Sequence, residues 1–290
     1  MNNFVLFVDS DCDITPVDCK KYGMQLISMP YTINDKEIFP YEDFKEFDCH
    51  KFYDVLRKGV VPKTSANSPV KYAEYFEPFL KEGKDILYVH FSKTMSGTFN
   101  AMNIAIEDLK EKYPERTIYT LDTKAITILS RNIVLDIGEM YAKGATIEDI
   151  YKWAETEIYH YAVYFYADDL KFFSKSGRVS NFAAFMGGMI NLKPIIYIND
   201  EGQMVAASKG LGRNTTLKKI VDTVKNLEDN IKDHRVLIAH SDNIELAKKA
   251  QEMLEAEFGK LPIEFVEVNP TAGSHCGPDA IGISFHSKHR

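Results

Sequence analysis

Short apolar runs alternate with longer stretches of helical periodicity along most of the chain. Residues 4–8, Phe-Val-Leu-Phe-Val, read as a buried strand that ends in the polar cluster Asp9-Ser10-Asp11-Cys12-Asp13. A second apolar run at 86–91 leads into Ser92-Lys93-Thr94-Met95-Ser96-Gly97-Thr98 and a helical stretch over 99–112. A third at 117–121 precedes Asp122-Thr123 and a helix over 125–143. Strands alternating with helices of this length predict parallel β-α-β units. Ligands of such sheets sit beyond the carboxyl ends of the strands, where helix N-termini offer free N–H groups. The polar clusters after the first two strands fall at those ends.

The texture changes near Thr146. A helix over 147–159 leads to the aromatic run 161–166 and to Asp168-Asp169-Leu170, and residues 181–192 are apolar nearly all round. A strand over 195–198, a turn at 199–202, a helix over 215–230, a strand over 235–240, a helix over 244–258 and a strand over 263–268 follow. We read two α/β domains, 1–158 and 159–290, the first with a mainly parallel Rossmann-like sheet. The stretch holding Phe182, Phe185, Met186, Met189 and Ile190 reads either as a core helix, the usual meaning of an all-round apolar pattern, or as one wall of an apolar tunnel.

Composition narrows the function classes. The 290 residues are 45% hydrophobic and 27% charged, with a formal net charge of −7. That balance opposes a protein whose affinity comes from neutralising nucleic-acid phosphates, and opposes permanent docking on anionic lipid. The longest apolar runs fall far short of the roughly 20 residues that span a bilayer. The first residues carry no basic n-region, and Cys12, Cys19, Cys49 and Cys276 form no close pair, so a cytoplasmic protein with reduced thiols is expected. No phosphate-binding loop is present, and Gly210-Leu211-Gly212-Arg213-Asn214-Thr215 lacks the third glycine of a dinucleotide fingerprint. The eight histidines form no H-E-x-x-H or H-x-H motif, and no metal site is expected. Ser96 lacks the leading glycine of a nucleophile elbow, so a serine hydrolase would need the fold to bring His275 to it.

Six segments, in order, resemble one family. Asp9-Ser10-Asp11-Cys12-Asp13-Ile14 is similar to the D-S-[ST]-x-D-[IL] opening of the DegV family, and Pro62-Lys63-Thr64-Ser65 to its P-x-T-S segment. Met95-Ser96-Gly97-Thr98-Phe99 resembles L-S-G-T-[YF], and Asp168-Asp169-Leu170 with Ser176-Gly177-Arg178-Val179-Ser180 resembles its D-[DT]-L and G-G-R-[IV]-S pair. Leu192-Lys193-Pro194-Ile195-Ile196 and His275-Cys276-Gly277-Pro278-Asp279-Ala280-Ile281-Gly282 complete the set.

The resemblance implies two α/β domains, the second built on a mixed sheet, with a lipid site between them. It implies a carrier of one long-chain fatty acid, not an enzyme, with no cofactor beyond that ligand. The carrier would present the acid to a separate fatty acid kinase for acyl-phosphate formation and phospholipid synthesis, with transient membrane exchange. By motif match Thr64 and Ser96 would hold the carboxylate, with Ser65, the Gly97 and Thr98 N–H groups and His275 close by. Arg178 and Arg213 match arginines that face the kinase. Asp11, Lys93 and Asp279 depart from the family pattern around the head group. The competing readings are a hydrolase using Ser96 with His275 and a lipid-filled regulatory adaptor.

Overall fold

The computed structural model describes residues 3–180 and 191–290. Among these the strands form three sheets. The first, in the order β2 (Gln25–Ile27), β1 (Phe4–Asp9), β6 (Asp85–His90), β7 (Ile118–Asp122), is parallel throughout. β1 and β6 are buried along almost their whole length, as a parallel sheet covered on both faces requires. Helices α1 (Pro16–Tyr22), α3 (Pro69–Lys81) and α4 (Thr98–Lys112) follow or connect its strands. Thr15 starts α1 with a capping box: its hydroxyl accepts from the Asp18 N–H, and the Asp18 carboxylate accepts from the Thr15 N–H.

A small antiparallel sheet, β4 (Lys36–Ile38), β3 (Tyr31–Ile33), β5 (Lys63–Thr64), is inserted before β6 with α2 (Cys49–Arg57). The largest sheet is mixed. Its order is β13 (Ile263–Glu267), β12 (Val236–His240), β14 (Ile281–His286), β8 (Tyr161–Tyr166), β10 (Leu192–Ile198), β11 (Met204–Leu211), β9 (Val179–Ser180). Helices α8 (Arg213–Leu227) and α9 (Ile244–Phe258) cover one face with their own apolar cluster.

Between the parallel and mixed sheets runs α5 (Thr127–Ala142), buried at every position from Ile128 to Leu135. It packs against β8, β12 and β14 on one side, and against β1, α1 and the turn Ser10–Cys12 on the other. One hydrophobic cluster therefore extends from β1 and β6 through α5 to Val163, Ile196, Ile198, Leu237 and Ala239 of the mixed sheet. Polar ties reinforce it. Arg131 of α5 pairs with Asp18 at 2.7 Å and with Glu264 of β13 at 2.6 Å. The turn between β10 and β11 docks on the loop after β6, where the Gly202 carbonyl accepts from the hydroxyls of Ser92 (2.9 Å) and Thr94 (2.7 Å). Gly202 has φ +81°, and a Cβ there would lie 2.3 Å from the Ser92 hydroxyl, so the docking needs glycine.

The six strands and five helices that the hydrophobic pattern predicts are present within a few residues, whereas β2 to β5, β9, β11, β14 and the helices α1, α2, α3 and α7 (Leu170–Ser176) are not predicted. Among the predicted elements the differences are local. Strand β10 begins at Leu192 rather than 195 because Lys193 and Pro194 pair with β11, and the predicted helix over 147–159 ends as α6 (Ile147–Glu157) plus a 3-10 turn. The apolar stretch with Phe182, Phe185, Met186, Met189 and Ile190 lies outside the described residues. No helix among the described residues is long and apolar enough to cross a membrane.

Candidate functional site

The chain leaves β1 for β2 on one side and later returns to β6 on the other. The order reverses between β1 and β6, the place where parallel sheets form ligand crevices. Asp9, at the end of β1, builds that corner. One of its carboxylate oxygens accepts from the N–H groups of Asp11 (3.0 Å) and Cys12 (3.2 Å), the other from the Tyr88 hydroxyl and the Phe91 N–H (both 3.1 Å). Burial pushes its pKa up to about 6 against the pull of these donors. The loops after both strands are thus bound to one side chain.

The second half reaches this corner through α10 (Pro270–Cys276), which follows β13 and is pinned at several points. Asn269, its N-cap, donates to Asp13 from its backbone N–H (3.0 Å) and its amide (2.7 Å). The Thr271 hydroxyl donates to the Met29 carbonyl at 2.8 Å, and the Tyr53 hydroxyl to the Val268 carbonyl at 2.9 Å. At the far end His275 Nε2 lies 3.0 Å from Thr64 Oγ1. Gly277 then ends the helix at φ +70°, against the Phe172 ring. Desolvation first, and then the positive charge of Arg178, hold His275 down at about 4, so its imidazole is neutral near pH 7.

These elements line a partly open cavity, with about 1000 Å³ of space between its walls when the solvent at its mouth is included. Its wall is predominantly apolar and draws on both halves: Phe91 and Met95 from the loop after β6, Ile128 from α5, Phe165 from β8, Phe173 from α7 (Leu170–Ser176) and Ile281 from β14. Thr127, also in the wall, has φ +51°, an uncommon conformation for a β-branched residue and one that clusters at functional sites. Thr64, Ser65, Ser96, Arg178 and His275 supply polar groups. A shallower polar hollow formed by Thr94–Gly97, Gly177–Val179 and Gln203 adjoins this cavity and shares Met95, Ser96 and Arg178 with it.

Of the residues singled out in the sequence, Thr64, Ser65, Ser96 and His275 meet at one cavity although 211 positions separate Thr64 from His275. The Ser65 hydroxyl donates to Glu37 at 2.8 Å. Gly97 lines the adjoining hollow. Thr98 stands apart: its hydroxyl accepts from the Asn67 N–H and bonds the Tyr72 hydroxyl, while its own N–H donates to Ser96 Oγ at 3.2 Å. Arg178 lines the cavity and the hollow alike. Arg213 is half exposed and grips Asp168 with two hydrogen bonds of 2.9 and 2.8 Å, with Asp279 at 3.3 Å. His275 Nε2 faces Thr64, and a serine–histidine pair with Ser96 is not among the hydrogen bonds of the described residues. Sequence reasoning set Asp11 beside the head group, and it did not place Thr271, Ile281 or Phe165 in the wall. The alternation of Val163 and Phe165 on one face of β8 was the signal available for the third.

Comparison with known proteins agrees with this architecture. The model of the DegV family, described as an uncharacterised protein family, matches residues 3–288. A DegV domain-containing protein of Clostridium perfringens is 32% identical over 285 residues, covering 98% of either chain. Among solved structures, a DegV family protein of Thermus thermophilus, described by its fatty acid binding, superposes with a TM-score of 0.83 at 24% identity, over 99% of this chain and 100% of that one. DegV of Bacillus subtilis, a fatty acid binding protein, superposes at 0.81 with 23% identity over 99% and 100%. At such identities the superpositions establish a common fold.

Proposed function

Because this chain belongs to the DegV family, we propose that it is a carrier of a single long-chain fatty acid, held with its acyl chain in the cavity between the two sheets. The observation that carries this reading is a partly open, mostly apolar cavity whose polar groups include Thr64, Ser96, Arg178 and His275. Its wall suits an alkyl chain: burial at about 0.8 kcal/mol per methylene amounts to on the order of 10 kcal/mol for a long acid before the costs of binding. A carboxylate taken out of water needs charge-assisted donors. The hydroxyls of Thr64 and Ser96, the neutral imidazole of His275 and the guanidinium of Arg178 supply them. The solved relatives described as fatty acid binding support the same assignment.

The hollow beside Ser96 and Arg178 leaves the head group approachable from outside. The carrier accordingly presents the carboxylate to a separate fatty acid kinase in the cytoplasm, for acyl-phosphate formation and phospholipid synthesis, and exchanges ligand with membranes only transiently. In this division of labour the chain contributes no catalytic group of its own.

Mass spectrometry of solvent-extracted native protein tests the carrier reading; close to one fatty acid per chain is expected. A protein that emerges empty and shows no affinity for palmitate or oleate overturns it. Transfer of phosphate from ATP to the bound acid by a fatty acid kinase tests the presentation step separately.

A further inference from the structure

Asp11 is the second charged-type group that the cavity wall contains besides Arg178, and no requirement of the fold explains it. It is 6% exposed, lies in the wall, and its carboxyl Oδ1 has no hydrogen-bond partner among the described residues. Its neighbours Asp9 and Asp13 bind the loop after β6 and the cap of α10, and although Asp13 Oδ2 is also without a partner, Asp13 does not line the cavity. The Asp11 backbone cannot carry the side chain elsewhere, because its N–H is held by Asp9 inside the turn Ser10–Cys12. Thr271 bonds the Asp11 side chain, yet Oδ1 remains without a partner, and the single hydrogen of the Thr271 hydroxyl goes to the Met29 carbonyl. A buried polar atom left without a partner is destabilising, and a hydrogen bond from a ligand would offset that cost.

Position gives the rest. Thr271 neighbours Asp11 and precedes His275 by four residues on α10, so the two share a face about one turn, ~5.4 Å, apart. Thr64 and His275 form one polar station of the cavity, and Asp11 with Thr271 forms another roughly a helical turn away. An unsubstituted acyl chain would pass the second station with nothing to offer it.

We propose that Asp11 is a specificity-determining residue that selects an oxygenated fatty acid, one bearing a hydroxyl on the carboxyl-proximal part of its chain. The inference rests on the fatty-acid reading above. A hydroxyl suits the site because it both donates and accepts. Burial and the neighbouring charges of Asp9 and Asp13 raise Asp11 well above the usual carboxylate range, and in either protonation state the group can bond a hydroxyl.

Displacement titrations of delipidated full-length protein with palmitate and with palmitates hydroxylated at successive carbons test the proposal. At least one hydroxypalmitate substituted in the carboxyl-proximal half is expected to bind tenfold or more tighter than palmitate. Asp11→Ala should bring that ratio close to one while palmitate affinity rises, and Asp11→Asn, which keeps a polar group, should retain part of the preference. Palmitate binding as tightly as every hydroxypalmitate overturns the proposal and leaves the carrier reading intact. Loss of palmitate affinity in Asp11→Ala also overturns it, since Asp11 would then belong to the contacts of the carboxylate. If palmitate and every hydroxypalmitate fail to bind, the carrier reading itself falls.

Discussion

Thr64 ends strand β5 and Ser96 lies in the loop after β6, and each brings a hydroxyl to the cavity. Hydrogen bonds to a charged group contribute about 1.5–3 kcal/mol, so Thr64→Val or Ser96→Ala is expected to weaken palmitate binding by roughly ten- to a hundredfold. Isothermal titration measures this, with thermal unfolding as the check that the fold is intact; unchanged affinity in both variants would remove them from the head-group site. His275 carries a second expectation. Its folded pKa of about 4 lies below the ordinary value of 6.5, so the unfolded chain binds a proton between those values that the folded chain does not. Stability from this group is complete above pH 6.5 and is lost as pH falls towards 4. Asp9 and Asp13, raised by burial to about 6 from 3.8, act in the opposite sense: their contribution is complete below 3.8 and is lost as pH rises through 6. Comparing urea unfolding at pH 5 and pH 7 in the wild type and His275→Gln isolates the histidine. The variant should be spared an acid-side loss on the order of 1–2 kcal/mol, and an identical pH dependence in the two proteins would refute the shift.

At the level of elements, the site depends on α10 being held in one place. Its last residue is followed by Gly277 in a left-handed conformation, and a Cβ there would lie 2.4 Å from the Phe172 ring. Gly277→Ala therefore combines left-handed strain of about 1–2 kcal/mol with overpacking of about 1–3 kcal/mol. Urea titration should show a loss of roughly 2–5 kcal/mol, accompanied by weaker ligand binding because His275 sits two residues away. The same element shows where sequence reading stops. The strands β1, β6 and β12 and the helices α4, α5, α6, α8 and α9 were legible because their apolar runs are bounded by turn residues. By contrast α10 has seven residues, too few for a helical period, and β2 to β5 have two or three each, too few for an alternation. Thr64, Ser96 and His275 were legible through family-like motifs, whereas the role of Asp11 depends on how Asp9 closes the turn after β1, which no local pattern encodes. Arg178 was expected on a partner-facing surface, and only the course of α7 and β9 brings it to the cavity.

The whole molecule is organised around α5, which belongs by number to the first half and by packing to both. Division of the chain at 158 and 159 follows the two large sheets, the first drawing its strands from residues up to 122 and the second from residues after 160. The hydrophobic cluster does not respect that division, since Ile128, Leu129 and Ile133 of α5 share it with Val163, Ile196 and Leu237. Asn132 donates to the Ser284 hydroxyl of β14 at 3.0 Å, and Arg131 reaches Glu264. Expressed alone, residues 1–158 would turn to water one face of a helix that is buried from Ile128 to Leu135, and the cavity would lose the wall made by Phe165 and Ile281. Such a fragment is expected to bind a hydrophobic dye and to unfold without a sharp transition, as loosely packed states do. Coexpression with residues 159–290 should restore a cooperative transition, and palmitate at a hundred times its Kd should then add about 2.7 kcal/mol to its stability. A fragment 1–158 that unfolds sharply and cooperatively by itself would show that the shared core is dispensable to the first half, and that the ligand site lies between two independent domains rather than inside one folding unit.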